Sequence, residues 1–133
     1  MRPFLAFLCA SALLSSCQKE SDAVAPAVFT QQVMGQTWLE STEEEQPGSG
    51  VELYRKDTSP FPASRPRNGF RFDADGVFTG RGPAATDGIA VFPGRWLMEG
   101  NNTLRIIPAD KSSSYGLQII SLDKNLLQVR RLQ

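Results

Sequence analysis

From Gly35 to the C-terminus the apolar residues come in short runs separated by Gly, Pro, Asn and Asp, and within many runs they alternate with polar ones. A period of two marks strands with one face buried. Eight strands are predicted: Gln36–Thr42, Val51–Lys56, Gly69–Asp73, Val77–Gly80, Gly94–Glu99, Thr103–Pro108, Tyr115–Leu122 and Leu126–Leu132. No stretch between them sustains a helical period. Residues 57–68, with three prolines, read as an extended surface loop. Residues 81–93 contain an apolar patch, Ile89 to Phe92, expected as an extra short strand or a loop on a barrel rim. Phe29 to Met34 is expected to form one helical turn or a lid at the start of the domain.

Three hairpins set the register. With Asp73 opposite Val77 across Ala74-Asp75-Gly76, Phe72 faces Phe78 and Phe70 faces Gly80. With Glu99 opposite Thr103, Met98 faces Leu104 and Trp96 faces Ile106. With Leu122 opposite Leu126, Ser121 faces Leu127 and Ile119 faces Val129. Large apolar residues share one face in all three pairs, and a slip by one residue would scatter them. Arg71, Asp73, Leu97, Glu99, Thr103 and Arg105 fall on the other face. Each loop ends in Gly or Asn, which tolerate the left-handed conformation such turns need; Gly76 is the structural glycine of the first. The pattern predicts an all-β domain, a small antiparallel up-and-down barrel of about eight strands, with a small β-sandwich as the alternative.

The chain of 133 residues is long enough for one domain, and 41% hydrophobic with 21% charged residues fits a folded core. Fourteen basic residues balance fourteen acidic ones, which gives no basic field for nucleic acid. With no histidine, His-based triads and most zinc or iron sites are excluded. No motif implies a cofactor. Both cysteines, Cys9 and Cys17, lie in the first seventeen residues, so neither a disulfide nor a catalytic thiolate is expected in the folded domain.

Those seventeen residues read as an address. Arg2 precedes an apolar run from Phe4 to Leu14, of secretory-signal length and too short to span a bilayer. Leu14-Ser15-Ser16-Cys17 resembles the lipobox of bacterial lipoproteins. That resemblance implies cleavage before Cys17, diacylglycerol on its sulfur and an acyl chain such as palmitate on its amino group. Removing residues 1–16 leaves 13 basic against 14 acidic side chains. Position 18 is Gln rather than Asp, and Gln18-Lys19-Glu20-Ser21-Asp22 is similar to the export signal of surface lipoproteins in the Bacteroidetes. The expected organisation is a signal peptide over 1–16, a lipidated cysteine and tether over 17–33, and a β domain over 34–133. The expected location is the cell envelope: lipid-anchored in the outer membrane, with exposure at the cell surface left open.

Several motifs of the domain resemble the small lipocalin-like lipoproteins of the Bacteroidetes: Gly35-Gln36-Thr37-Trp38 in the first strand, an F-x-F-x-x-D-G-x-F pattern from Phe70 to Phe78, Gly94-Arg95-Trp96, and the closing Leu127 to Arg131. The resemblance implies that Trp38 lies at the closed end of a barrel, packed by Arg130 or Arg131.

Little else looks like chemistry. An EF-type loop with Gly76 at position 6 would place Arg71 where the first ligand belongs and Gly82 where the closing carboxylate belongs. Asp73 and Asp75 therefore read as turn residues bonded to nearby backbone N–H groups. Glu43-Glu44-Glu45 reads as a solvated hairpin loop, and Arg65, Arg67, Arg71 and Arg81 as candidates for a basic patch around the Pro-rich segment. The leading expectation is a non-enzymatic, membrane-anchored lipocalin-like protein that takes a small apolar ligand or an envelope component. Its candidate interior is Phe70, Phe72, Phe78, Trp96, Met98, Leu104 and Ile106. Those side chains are large enough to fill an eight-stranded barrel, so the alternative is a solid barrel serving as a structural or protein-interaction module. An envelope hydrolase built on acidic residues ranks third.

Overall fold

The computed structural model describes residues 29–100, 102–123 and 125–133. Eight strands close into one antiparallel barrel: β1 (Thr37–Glu40), β2 (Glu52–Lys56), β3 (Gly69–Asp73), β4 (Val77–Pro83), β5 (Ile89–Glu99), β6 (Thr103–Pro108), β7 (Tyr115–Asp123) and β8 (Leu126–Leu132). Closure pairs the backbone groups that an open sheet would leave at its edges. Neighbours alternate in direction all the way round, and β3 to β8 follow one another as a meander. β1 sits between β2 and β3, so those two run parallel to each other and the chain must travel the barrel's length between them. Residues 57–68 make that journey. Their prolines lack the N–H donors that an unpaired segment would otherwise have to satisfy. Arg67 fastens the end of the segment, stacking 4.5 Å over Phe61 and donating to the Glu40 carbonyl at 2.9 Å.

Two of the three predicted registers are observed intact. Phe72 pairs with Phe78 and Phe70 with Gly80; Trp96 pairs with Ile106 and Met98 with Leu104. The first turn uses two left-handed residues, Asp75 at φ 67° and Gly76 at φ 74°. In the third hairpin Ile119 does face Val129, but a bulge at Ile120 shifts everything beyond it. Leu122 thus faces Leu127 rather than Leu126, and Ser121 faces Gln128. The extra residue lets both Ile119 and Leu122 join the core despite their odd spacing. β4 and β5 also run longer than predicted. Ile89 to Phe92 is the first part of β5, paired with Gly80 to Pro83.

Inward positions supply a core of Trp38, Tyr54, Phe70, Phe72, Phe78, Leu104, Ile106, Leu117, Ile119, Leu127 and Val129. Trp96 and Met98 are partly buried against it. One end of the barrel carries the hairpins β3–β4, β5–β6 and β7–β8, and the chain enters there through a π-helical turn, Phe29–Val33. Phe29 puts its ring edge-on to Phe72 and Trp96 at 5.6 and 5.4 Å between centroids, and Val33 is wholly buried. The turn is therefore a plug. Of the two forms expected of Phe29 to Met34, the helical turn is the one found, lodged in the barrel rather than lying over it as a lid. The indole of Trp38 fixes the plug by donating to the Val33 carbonyl at 2.9 Å.

Candidate ligand cavity

The opposite end carries the long loops 41–51, 84–88 and 109–114 and, among the described residues, has no plug. There the interior opens into a cavity of about 440 Å³. Phe70, Phe78 and Gly80 line it toward the barrel body; Tyr54, Tyr115, Phe92, Pro93 and Pro108 line its wall; Asn68, Arg131, Asp110 and Ser112 bring polar groups to it. Local sequence explains the space. Gly80 and Gly82 hold inward positions on β4, where the alternation elsewhere places large residues. A Cβ on Gly80 would come within 3.2 Å of the Phe78 ring, and one on Gly82 within 2.8 Å of Asn68 Oδ1. Phe92, also at an inward register opposite Gly80, is 53% exposed because nothing fills the space before it.

Burial favours the neutral form of both tyrosines. Burial, reinforced by the charges of Glu52 and Glu40, pushes the Tyr54 phenol far above its ordinary value, and burial also raises Tyr115. Tyr54 donates to Glu52 Oε2 at 2.9 Å and stacks 4.4 Å from Phe70. Asp110 is held below the usual carboxylate range, chiefly by the Ser112 hydroxyl at 2.6 Å and the Ser112 amide at 2.9 Å.

Beside the mouth, Glu40, Glu45 and Glu52 line a neighbouring cleft. Burial raises the Glu45 carboxyl, and the charges of Glu40 and Glu52 add to the effect. Grouped carboxylates are what a hydrolytic reading would need. Each of the three already has a protein donor, however: Asn68 Nδ2 on Glu40, the Leu53 amide on Glu45, and the Tyr54 hydroxyl on Glu52. Their evident work is to pin the 41–51 loop and the ends of β1 to β3.

Of the predicted interior residues, only Phe70 and Phe78 line the cavity. Phe72, Leu104 and Ile106 belong to the packed core, and Trp96 and Met98 pack against it toward the hairpin end. Trp38 is buried beside the plug, but Arg130 and Arg131 are not its partners. The Arg131 guanidinium stacks 4.7 Å over Tyr115 at the mouth, and the indole is satisfied by Val33. Arg131, Tyr54, Tyr115 and Phe92 were missed as lining residues. The inward parity of Arg131 two places beyond Val129 was the available signal.

The other charged groups differ from expectation in part. Glu43 and Glu44 are exposed in the loop between β1 and β2, as expected, and are also clamped: Arg67 holds Glu43, and Arg55 holds Glu44 with contacts of 2.5 and 2.6 Å. Those contacts draw both carboxyls down to about 2. The basic patch is broken up, because Arg67 and Arg71 pair with Glu43 and Asp73. Asp73 accepts from Arg71 Nε at 2.7 Å rather than from a turn N–H, and its carbonyl accepts from the Trp96 indole at 2.9 Å. Cys17 and the lipobox lie outside the described residues. In comparisons with known proteins, no family model, curated sequence or solved structure matches this chain.

Proposed function

We propose that this protein is a lipid-anchored, non-enzymatic binding protein of the lipocalin-like type, which holds a small, largely apolar molecule in the open end of its barrel. The observation that carries this reading is the cavity itself. Its 440 Å³ falls in the ordinary range for small-molecule sites, and it is aromatic with a few converging polar groups. The barrel is solid where the plug enters and hollow where it does not. The tether from Cys17 would arrive at the plugged end, leaving the mouth free to face away from the membrane surface.

The test is native mass spectrometry of the protein purified from its own host, together with titration by a neutral fluorescent apolar probe. A retained small molecule, or saturable one-to-one probe binding that Gly80→Leu abolishes without loss of fold, supports the reading. Absence of both would sink it.

A second reading rests on a different surface. Ile89 and Val91 stand 50% and 60% exposed on the outer face of β5, next to the exposed ring of Phe92. Apolar groups at a rim suit contact with an envelope protein. Ile89→Ser would weaken such contact and leave the cavity's probe binding intact, because Ile89, unlike Val91, does not line the cavity.

A further inference from the structure

We infer that the cavity takes a small anionic amphiphile, whose carboxylate is met by Arg131 at the mouth and whose apolar body lies against Phe70, Phe78 and Phe92. This rests on the reading of the cavity as a binding site and adds the chemistry of its occupant.

Four outer arginines show what a satisfied guanidinium looks like in this protein. Arg55, Arg67 and Arg105 each reach a glutamate through two nitrogens, and Arg71 reaches Asp73 at 2.7 Å. Arg131 is different. It sits at an inward register opposite Leu117, its side chain is 53% exposed, and it lines the cavity. Its ion-pair partner is Glu52, whose Oε1 lies 3.9 Å from Nε, a long contact beyond hydrogen-bond reach, while Glu52 Oε2 accepts from Tyr54. Among the described residues the Arg131 guanidinium therefore donates no hydrogen bond, while its stack on Tyr115 fixes the plane of its fork. A planar fork with vacant donors is the geometry that recognises a carboxylate through two parallel bonds.

The sign of the lining agrees. Its charged residues are Arg131, Arg81 and Asp110. Asp110 is occupied by Ser112, whereas Arg81 has a buried Nε with no hydrogen-bond partner among the described residues. The Glu40, Glu45 and Glu52 cleft lies beside this cavity and does not line it. Size sets the body: 440 Å³ holds about fifteen groups the size of a water molecule, room for a medium-chain or one-ring acid.

The experiment is displacement of a neutral fluorescent probe at low salt by decanoate, phenylbutyrate, decanol and decyltrimethylammonium, using the mature protein and Arg131→Gln. At least one acid should bind about tenfold or more tightly than decanol, the gain expected of a forked ionic contact. Which acid wins distinguishes a fatty from an aromatic source. Arg131→Gln should remove that preference by weakening acid binding about tenfold more than it changes decanol binding. Should that variant fail to fold, Arg131→Lys keeps the charge without the fork and should show a reduced preference; an unreduced one counts against the forked contact. Equal binding of acid and alcohol, tightest binding of the ammonium, or a preference that survives in Arg131→Gln would overturn the assignment while leaving the cavity a binding site. Failure of every probe would overturn the binding reading along with it.

Discussion

Trp38→Phe is the most informative single perturbation of the fold, because it cuts the bond between barrel and plug. The indole is fully buried and its Nε1 is the donor to the buried Val33 carbonyl. Phenylalanine leaves that carbonyl without its partner, a loss of about 1–3 kcal/mol. It also vacates roughly 40 Å³, worth about 1 kcal/mol at ~24 cal/mol per Å³. The expected destabilisation is therefore about 2–4 kcal/mol, which moves a urea midpoint by roughly 1–2 M for a domain of this size. Unfolding is followed by far-ultraviolet circular dichroism and by the fluorescence of Trp96, which touches Phe29 and so reports on the plug directly. Phe29→Ala supplies the second leg of a double-mutant cycle. Both residues act on one unit, so the double variant should be less destabilised than the sum by at least about 0.5 kcal/mol. A midpoint within error of wild type, or strict additivity, would refute the idea that Trp38 and the plug are one device.

Three further outcomes are expected. Glu45→Gln keeps an acceptor for the Leu53 amide but removes a carboxylate crowded by Glu40 and Glu52. Because the folded-state value lies above the ordinary 4.5, ionisation works against the fold, so the variant should melt higher at neutral pH, and the gap should close as pH falls to about 4.5. Glu43 and Glu44 carry the opposite sign. With folded values of about 2 against an ordinary 4.5, their clamps hold above 4.5 and loosen as pH falls toward 2, which hydrogen exchange in residues 41–56 should report. Exposure to solvent keeps that effect small, and Arg67→Gln should flatten its Glu43 part. Cys17→Ser should abolish labelling by palmitate and release the protein from membranes; unchanged fractionation would remove the anchor from the proposal.

The legible part of the fold was the part written in local pairs. Phe70, Phe72 and Phe78, and Trp96, Met98 and Leu104, fall on one face only if their hairpins take the observed registers, so parity alone determined them. The bulge at Ile120 escaped because alternation can be rescued by an inserted residue as readily as by a longer loop. The position of β1 between β2 and β3 escaped for a different reason. No turn joins β1 to β3, and a Pro-rich segment looks alike whether it loops on one rim or runs the length of the barrel. The length of β5 was hidden by Pro93 and Gly94, which punctuate the sequence while the ladder continues through them.

The cavity was illegible because composition counts side chains and not their distribution along the barrel axis. The inward aromatics could have filled the interior evenly, which is why a solid barrel stood as the alternative expectation. Some of them instead pack solid at the plugged end, where Phe29 from outside the sheet joins Phe72 and Trp96 and Trp38 locks that cluster, while Tyr54, Phe70, Phe78, Phe92 and Tyr115 line the open end. At the other end Gly80 and Gly82 withdraw side chains from two successive inward positions, and the long β4–β5 ladder extends the wall beyond the packed core. A plug that adds volume at one end and glycines that remove it at the other give one barrel both a rigid base and an open mouth. The two properties are thereby separable. Substitutions at Phe29 or Trp38 should change stability with little effect on ligand selectivity, whereas Arg131 and Gly80 should change binding with little effect on the melt. A single variant of Phe29 or Trp38 that altered the acid-to-alcohol preference while the barrel stayed folded would show that base and mouth are coupled, and would break this division.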